Sequence, residues 1–180
     1  NPPIIVASNK NFEEKSIEYL GYQFKFNDSI NQKRPRNVNV AIATKKIKKT
    51  KTRIILSIKS FAKNHDEQLL LDRIKFISGN YLVRRKGNEK TQRSRFVKSG
   101  IFYNYNLCGT YKGKDHTPPE FSPPELNELK NLDKFYQTVI GKNSNFKSIT
   151  SSISSTAIKQ LKKISFKKGY EKRMLTNFKE

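Results

Sequence analysis

The sequence predicts an α+β fold, mainly α, in which a short β-hairpin is followed by a basic helical bundle and then by C-terminal helices. Apolar and polar residues alternate between Ser16 and Phe26, and again at Val38, Val40 and Ile42, with the period of a strand. Between Ala43 and Asp66, Ile47, Ile54, Ile58 and Phe61 recur at helical steps, surrounded by lysines. Helical spacing returns at Leu126, Leu129, Leu132, Tyr136 and Val139 or Ile140, and along Ile149, Ile153, Ala157, Leu161 and Ile164.

In chain order, Ile4-Ile5-Val6 follows two prolines and reads as a short buried strand. Leu20, Tyr22, Phe24 and Phe26 then alternate with Gly21, Gln23 and Lys25. Asn27-Asp28-Ser29 is turn-prone, so the segment to Ile42 reads as a small β-ribbon. Gly21 inside a strand either weakens it or lets another backbone approach closely.

The helix expected from Ala43 to Asp66 packs one narrow apolar stripe and turns Lys45, Lys46, Lys48, Lys49, Lys51 and Arg53 mostly outward. An exposed helix that is merely soluble intersperses both signs of charge. Here no Asp or Glu lies between Asp28 and Asp66, whereas Lys33, Arg34, Arg36, Lys59 and Lys63 add to the cations just named. Such an uncompensated row faces a polyanion, and a nucleic-acid backbone is the expected one.

A second helix is expected after Asn64 as N-cap, with Glu67 as its capping-box partner, Leu70, Ile74 and Ile77 as its buried face and a left-handed Gly79 as its end. The acids Asp66, Glu67 and Asp72 suit a helix start and a helix face better than catalysis. Arg84, Arg85, Lys86, Lys90, Arg93, Arg95 and Lys98 form a second basic cluster around a Gly87-Asn88 loop. Beyond it, Phe96, Gly100, Tyr103 and Leu107 fit a helix, and Ile101, Tyr103, Tyr105 and Leu107 fit a strand equally well. Phe102, Tyr103 and Tyr105 read as core residues rather than as stacking platforms for bases.

Lys112 to Pro124, rich in Pro and Gly, reads as a linker or ordered loop, and His116 within it as a surface residue. Ser122-Pro123-Pro124-Glu125 has the pattern of a helix opening, with Ser122 as N-cap and Pro at the first helical position. The serine-rich segment from Ser144 to Thr156 is expected to continue as one amphipathic helix with Lys159, Lys162 and Lys163 beside its apolar face. The expected divisions are 1–43, 44–111, 112–124 and 125–180.

Composition sets outer limits. The 180 residues allow one domain or two small ones, and 34% apolar residues give a modest core. With 37 Lys+Arg against 15 Asp+Glu, the net charge of +22 resists compaction and is relieved by a polyanion. No apolar run approaches the ~20 residues of a spanning helix, so no membrane partner is expected. A single Cys108 fits a reducing, cytoplasmic setting, and one Cys with two distant histidines makes no zinc site. Because it opens at Asn1-Pro2-Pro3, the chain is expected to be part of a longer polypeptide.

Tyr19-Leu20-Gly21-Tyr22-Gln23-Phe24, followed by an extended segment and a basic helix, resembles the palm end and thumb start of bacterial reverse transcriptases. Asp72-Arg-Ile-Lys-Phe-Ile-Ser-Gly-Asn-Tyr81, Gly100-Ile-Phe-Tyr-Asn104, Leu129-Lys-Asn-Leu-Asp133 and Ser165-Phe-Lys-Lys-Gly-Tyr170 look like the defence-associated, antiviral branch of that family, in the same order. The resemblance implies a primer-grip hairpin at Leu20, Gly21 and Tyr22, a thumb-like helical region that holds a template-primer duplex, and a helix rather than a strand over 96–108. It further implies nucleic-acid contacts from the basic residues of the first helix and from Arg84, Arg85, Arg93 and Arg95. The implied partners are an RNA template, a DNA or RNA–DNA duplex, a noncoding RNA and the remaining half of the polymerase, in a role against phage.

The Tyr-x-Asp-Asp sequence and upstream Asp with which that family holds two metal ions do not occur here. No catalytic residue, metal site or cofactor is therefore expected in this chain, and Mg²⁺ is expected in the missing catalytic half. The competing reading is a non-catalytic RNA-binding structural protein of a ribonucleoprotein. It explains the charge equally well but leaves the Leu-Gly-Tyr hairpin unexplained.

Overall fold

The structure, a computed structural model, describes residues 15–27, 37–85, 95–114, 117–141, 145–173 and 175. Among them the elements run β1 (Lys15–Tyr19), β2 (Tyr22–Asn27), β3 (Asn37–Ile42), α1 (Thr44–Asn64), α2 (Glu67–Ser78), β4 (Asn80–Arg85), β5 (Arg95–Gly100), β6 (Gly109–Lys114), β7 (Thr117–Ser122), α3 (Asn127–Ile140), α4 (Lys147–Thr150), α5 (Ser155–Lys163) and α6 (Phe166–Lys172). The fold is α+β, with a β-hairpin ahead of the helices as the sequence predicts. It divides into two compact units, Asn1–Ala43 with Leu107–Glu125, and Thr44–Asn106 with Leu126–Glu180. The expected Ile4–Val6 strand, Asp28-Ser29, the Gly87-Asn88 loop, Arg93 and His116 lie outside the described residues.

The first unit is an antiparallel sheet in the order β1-β2-β3-β6-β7. Residues directly opposite one another share a face, so the pairs Ile17↔Phe24, Phe24↔Val40, Tyr22↔Ile42, Val38↔Tyr111 and Tyr111↔Phe121 build one apolar side. Gln23, Lys25, Asn39 and Lys112 lie on the other. Burial raises the pKa of the Tyr22 hydroxyl, and that of Tyr111 in the same way.

The segment Ser16–Phe26 is not one strand. It breaks at Leu20 and Gly21, whose φ angles of 48° and 91° are those of a tight hairpin turn closing Tyr19 on Tyr22. Nor is Lys112–Pro124 a linker. Its first part ends β6, and β7 adds the edge strand, a place where prolines need not donate to a ladder. Ser122 closes that strand instead of capping a helix. α3 starts five residues later, after Leu126, which has a φ of 56° and gives no side-chain cap. The segment 96–108 is likewise not a helix. β5 occupies its start, turns follow from Ile101, and β6 begins at Gly109.

The second unit buries Ile54, Ile58 and Phe61 of α1, Leu70, Leu71 and Ile74 of α2, Leu129, Leu132 and Tyr136 of α3, and Leu161, Phe166 and Tyr170 of α5 and α6. Each fully buried aliphatic chain contributes roughly 1.5–3 kcal/mol against exposure. Tyr136, fully buried, donates its hydroxyl to the Leu161 carbonyl at 2.9 Å and meets the Phe166 ring edge-on at 5.9 Å. Burial, then the nearby Asp133 charge, drives its pKa far upward.

Carboxylates join the helices of this unit. Asp66, not Asn64, is the N-cap of α2 and accepts from the Leu69 N–H at 2.8 Å. Glu67 does not fold back to close a capping box. It reaches Ser154 ahead of α5, accepting from its N–H at 2.5 Å and its hydroxyl at 2.6 Å. Asp133 of α3 accepts from the Phe166 and Lys167 N–H groups and from the Ser165 hydroxyl, at 2.6, 3.2 and 2.7 Å, at the start of α6. The single C-terminal helix expected along Ile149 to Ile164 is instead two short ones, α4 and α5, and α6 follows beyond it. Ser154 and Ser165 each cap a new start, accepting from the Ala157 and Lys168 N–H groups.

At the far end of α2, Gly79 is extended, with φ −108° and ψ −166°, rather than left-handed. It leads into Asn80, which is fully buried. Its amide donates to the Gly169 carbonyl and accepts from the Phe102 N–H, both at 2.8 Å. α6 approaches so closely here that a Cβ on Gly169 would stand 1.9 Å from the Ser78 carbonyl oxygen.

Asn80→Ala would orphan two buried backbone groups, at ~1–3 kcal/mol each. Urea unfolding should show a loss on the order of 2–6 kcal/mol, and an unchanged midpoint would show that water replaces the amide. Glu67 is held below its usual pKa, first by the Ser154 hydroxyl and then by the Ser154 N–H. A depressed folded pKa gives stabilisation that is present above the unfolded value, about 4.3, and is lost as pH falls through the folded one. Protection of the amides at the start of α5, taken relative to their intrinsic exchange rates, should therefore fall on acidification below about pH 4, and Glu67→Gln should abolish that acid-dependent step.

Candidate nucleic-acid interface

α1 buries the stripe the sequence predicts, through Ile54, Ser57, Ile58 and Phe61, with Ile47 half-buried at its beginning. Lys45, Lys46, Lys48, Lys49 and Arg53 are exposed, and none forms an ion pair among the described residues. Lys51 departs from expectation. Half-buried, its ammonium lies over the Phe135 ring of α3 at 5.0 Å, where it serves packing. Lys59 and Lys63, exposed further along, extend the charged side.

The helix carries these cations at an energetic cost. Its first turn holds no acid, although the positive end of the helix dipole favours one there. Lys45 with Lys48 and Lys49, and Lys49 with Arg53, stand at the i,i+3 and i,i+4 spacings where like charges repel. Helix propensity and the buried stripe outweigh these penalties, and a bound polyanion would remove them. From Lys45 to Arg53 the helix rises about 12 Å, the axial length of three to four base pairs.

Arg84 stands opposite Phe96 in the β4–β5 hairpin, and Arg85 opposite Arg95. Arg84 is exposed, and Arg85 and Arg95 are placed by their backbone alone. Lys98 shares the Arg84 face and lies over the Tyr103 ring at 5.5 Å. Leu20, Gly21 and Tyr22 diverge. Leu20 is 79% exposed at the hairpin turn, whereas Tyr22 is 9% exposed within the sheet. The Phe102 ring meets Tyr170 edge-on at 5.2 Å and carries the Arg173 guanidinium at 4.3 Å, a packing role as expected.

Sequence reasoning missed a groove of about 630 Å³ between α1 and α2, lined by Arg53, Leu56, Ser57, Ser60, Leu69, Asp72, Arg73, Phe76 and Ile77. Leu56 and Phe76 are 56% and 43% exposed. The signal was present in the sequence, since both lie off the buried stripes of their helices and Arg73 precedes Phe76 by three residues. It was masked by the lysines around it.

The acids nearby are engaged in structure, with Asp66 capping α2, Glu67 holding Ser154 and Asp72 accepting from the Gln68 amide at 2.9 and 3.0 Å. Among the described residues no group of three or more His, Cys, Asp or Glu is placed to hold a metal ion. None of their helices is long and apolar enough to cross a membrane. No protein-family model, curated protein or solved structure matches the chain.

Gly21 has a testable role in the hairpin. At φ 91° any β-branched residue is strained. Gly21→Val should lower stability by about 1–2 kcal/mol in denaturant titration, and Gly21→Asn by less. Equal losses would mean that the turn does not hold this conformation in solution.

Proposed function

We propose that the chain is the nucleic-acid-gripping part of an RNA-directed DNA polymerase of the antiviral defence type, with α1 lying along the phosphates of a template-primer duplex. The observation that carries the proposal is the exposed cationic side of α1, whose Lys45, Lys46, Lys48, Lys49 and Arg53 form no ion pair among the described residues. Support for the polymerase assignment comes from the Tyr19–Phe24 hairpin ahead of that helix and from the order of the later motifs. On this reading the Leu20-Gly21 turn presents its exposed leucine to the primer end. The β4–β5 hairpin adds the exposed cations Arg84 and Lys98, and the chemistry and its Mg²⁺ belong to the remaining part of the enzyme in the cytoplasm. On this reading the chain's own contribution is binding and orientation.

One observation favours a second reading, a structural RNA-binding protein of a ribonucleoprotein. The sequence that carries the basic face contains no Tyr-x-Asp-Asp. A Tyr-x-Asp-Asp sequence upstream in the same reading frame decides for the polymerase, and its absence decides for the structural protein.

The grip itself is tested by salt. Replacing Lys45, Lys46, Lys48 and Lys49 by Gln keeps helix propensity nearly constant. It should weaken duplex DNA binding at low salt and flatten the plot of log affinity against log salt by up to about 3.6. The loss should be uniform across sequences, because phosphate contacts carry no base information. Replacing Lys159, Lys162 and Lys163 in the same way should change the slope less. An unchanged slope in the α1 variant would leave its cations as a solvated face.

A further inference from the structure

Resting on the reading of α1 as a duplex grip, we propose that the groove between α1 and α2 takes an unpaired RNA nucleotide at the point where a strand leaves the duplex. Lys46, Lys49 and Arg53 are spaced i, i+3, i+7 and so lie along one side of α1, and Arg53 is itself part of the groove wall. A backbone followed along that side is led into the groove. Arg73 faces the same space from α2, so both walls offer a planar guanidinium of the kind that grips phosphate with two parallel hydrogen bonds.

Between these cations the groove is apolar and carries one aromatic ring. Phe76 lines it, is 43% exposed, and is stacked on Tyr81 with centroids 4.2 Å apart and planes 20° apart. The stacked partner fixes the ring, and base stacking on such a ring is tolerant of sequence. Asp72 adds an acceptor that a phosphate would avoid but a ribose 2′-hydroxyl can use. Both of its oxygens already accept from Gln68, and each keeps a further lone pair. Cations for the backbone, a platform for the base and an acceptor for the sugar meet in one groove, which selects unpaired RNA over unpaired DNA.

The full chain can be titrated with an RNA duplex carrying a short single-stranded overhang labelled with 2-aminopurine, with the same duplex made blunt, and with the overhang in DNA. The RNA overhang should bind more tightly than the blunt duplex, and the label should be quenched by stacking. Phe76→Ala should remove that gain, on the order of tenfold, together with the quenching, and should leave blunt-duplex affinity unchanged. Phe76→Trp should restore both. Equal affinity for overhang and blunt duplex, with no quenching, overturns the proposal. So does an equal loss for both ligands in Phe76→Ala, and a DNA overhang that binds as well as RNA refutes the role given to Asp72. An acidic amphipathic peptide that occupies the groove while the overhang goes unsensed would assign it to a protein partner and overturn the proposal. Failure of the wild type to bind the blunt duplex in a salt-dependent way would instead sink the grip assigned to α1.

Discussion

The helical unit depends on carboxylates accepting hydrogen bonds at helix N-termini. Asp66 does this for α2, Glu67 for the start of α5 and Asp133 for α6. Each satisfies N–H groups that have no partner within their own helix, and each places negative charge where the helix dipole favours it. Glu67 and Asp133 also cross between helices, so the same contact that caps one helix fixes its position on another.

This use of the acids explains the surface. In a chain with 15 acidic residues against 37 basic ones, every carboxylate held at a helix start is withdrawn from neutralising lysines. The lysines at the start of α1 therefore form no ion pair among the described residues although the fold contains carboxylates. The local penalties on α1 are offset by its buried face, with Ile54 and Ile58 completely sheltered from solvent. Stability and cationic display come from opposite sides of one helix, so Lys45, Lys46, Lys48 and Lys49, all exposed, can be replaced without touching the core.

How much was legible follows from where the determining interactions lie. α1, the body of α2 and the body of α3 are specified by spacing within each segment, and Ile54, Ile58, Leu70, Ile74, Leu129, Leu132 and Tyr136 are buried as the periodicity predicts. Misreadings cluster where a distant partner decides. Glu67 pairs with Ser154 rather than with its own helix start, and β7 owes its strand conformation to β6 rather than to its Pro-rich sequence. Leu20 fits the alternation by residue type, yet its backbone turns. The cationic side of α1 was legible because absent acids are visible in sequence. Of the groove only Leu56 and Phe76, apolar residues off the buried stripes, were legible, since its walls meet only once α1 and α2 lie together.

The sheet of the first unit has a consequence for the order in which the chain becomes structured during synthesis. β3 pairs with β6, so that Val40 stands opposite Gly109, and both helices α1 and α2 together with the β4–β5 hairpin are made between them. While β3 is the last strand available, its outer edge is an unpaired template for other strands. It closes only after the intervening segment has left the ribosome. Loop-closure entropy grows only logarithmically with that separation, so the final sheet loses little stability. The delay falls on the rate, because non-local strand pairing is slow. Early folding of the insert into its own helices shortens the effective loop and brings the two strands within reach of each other.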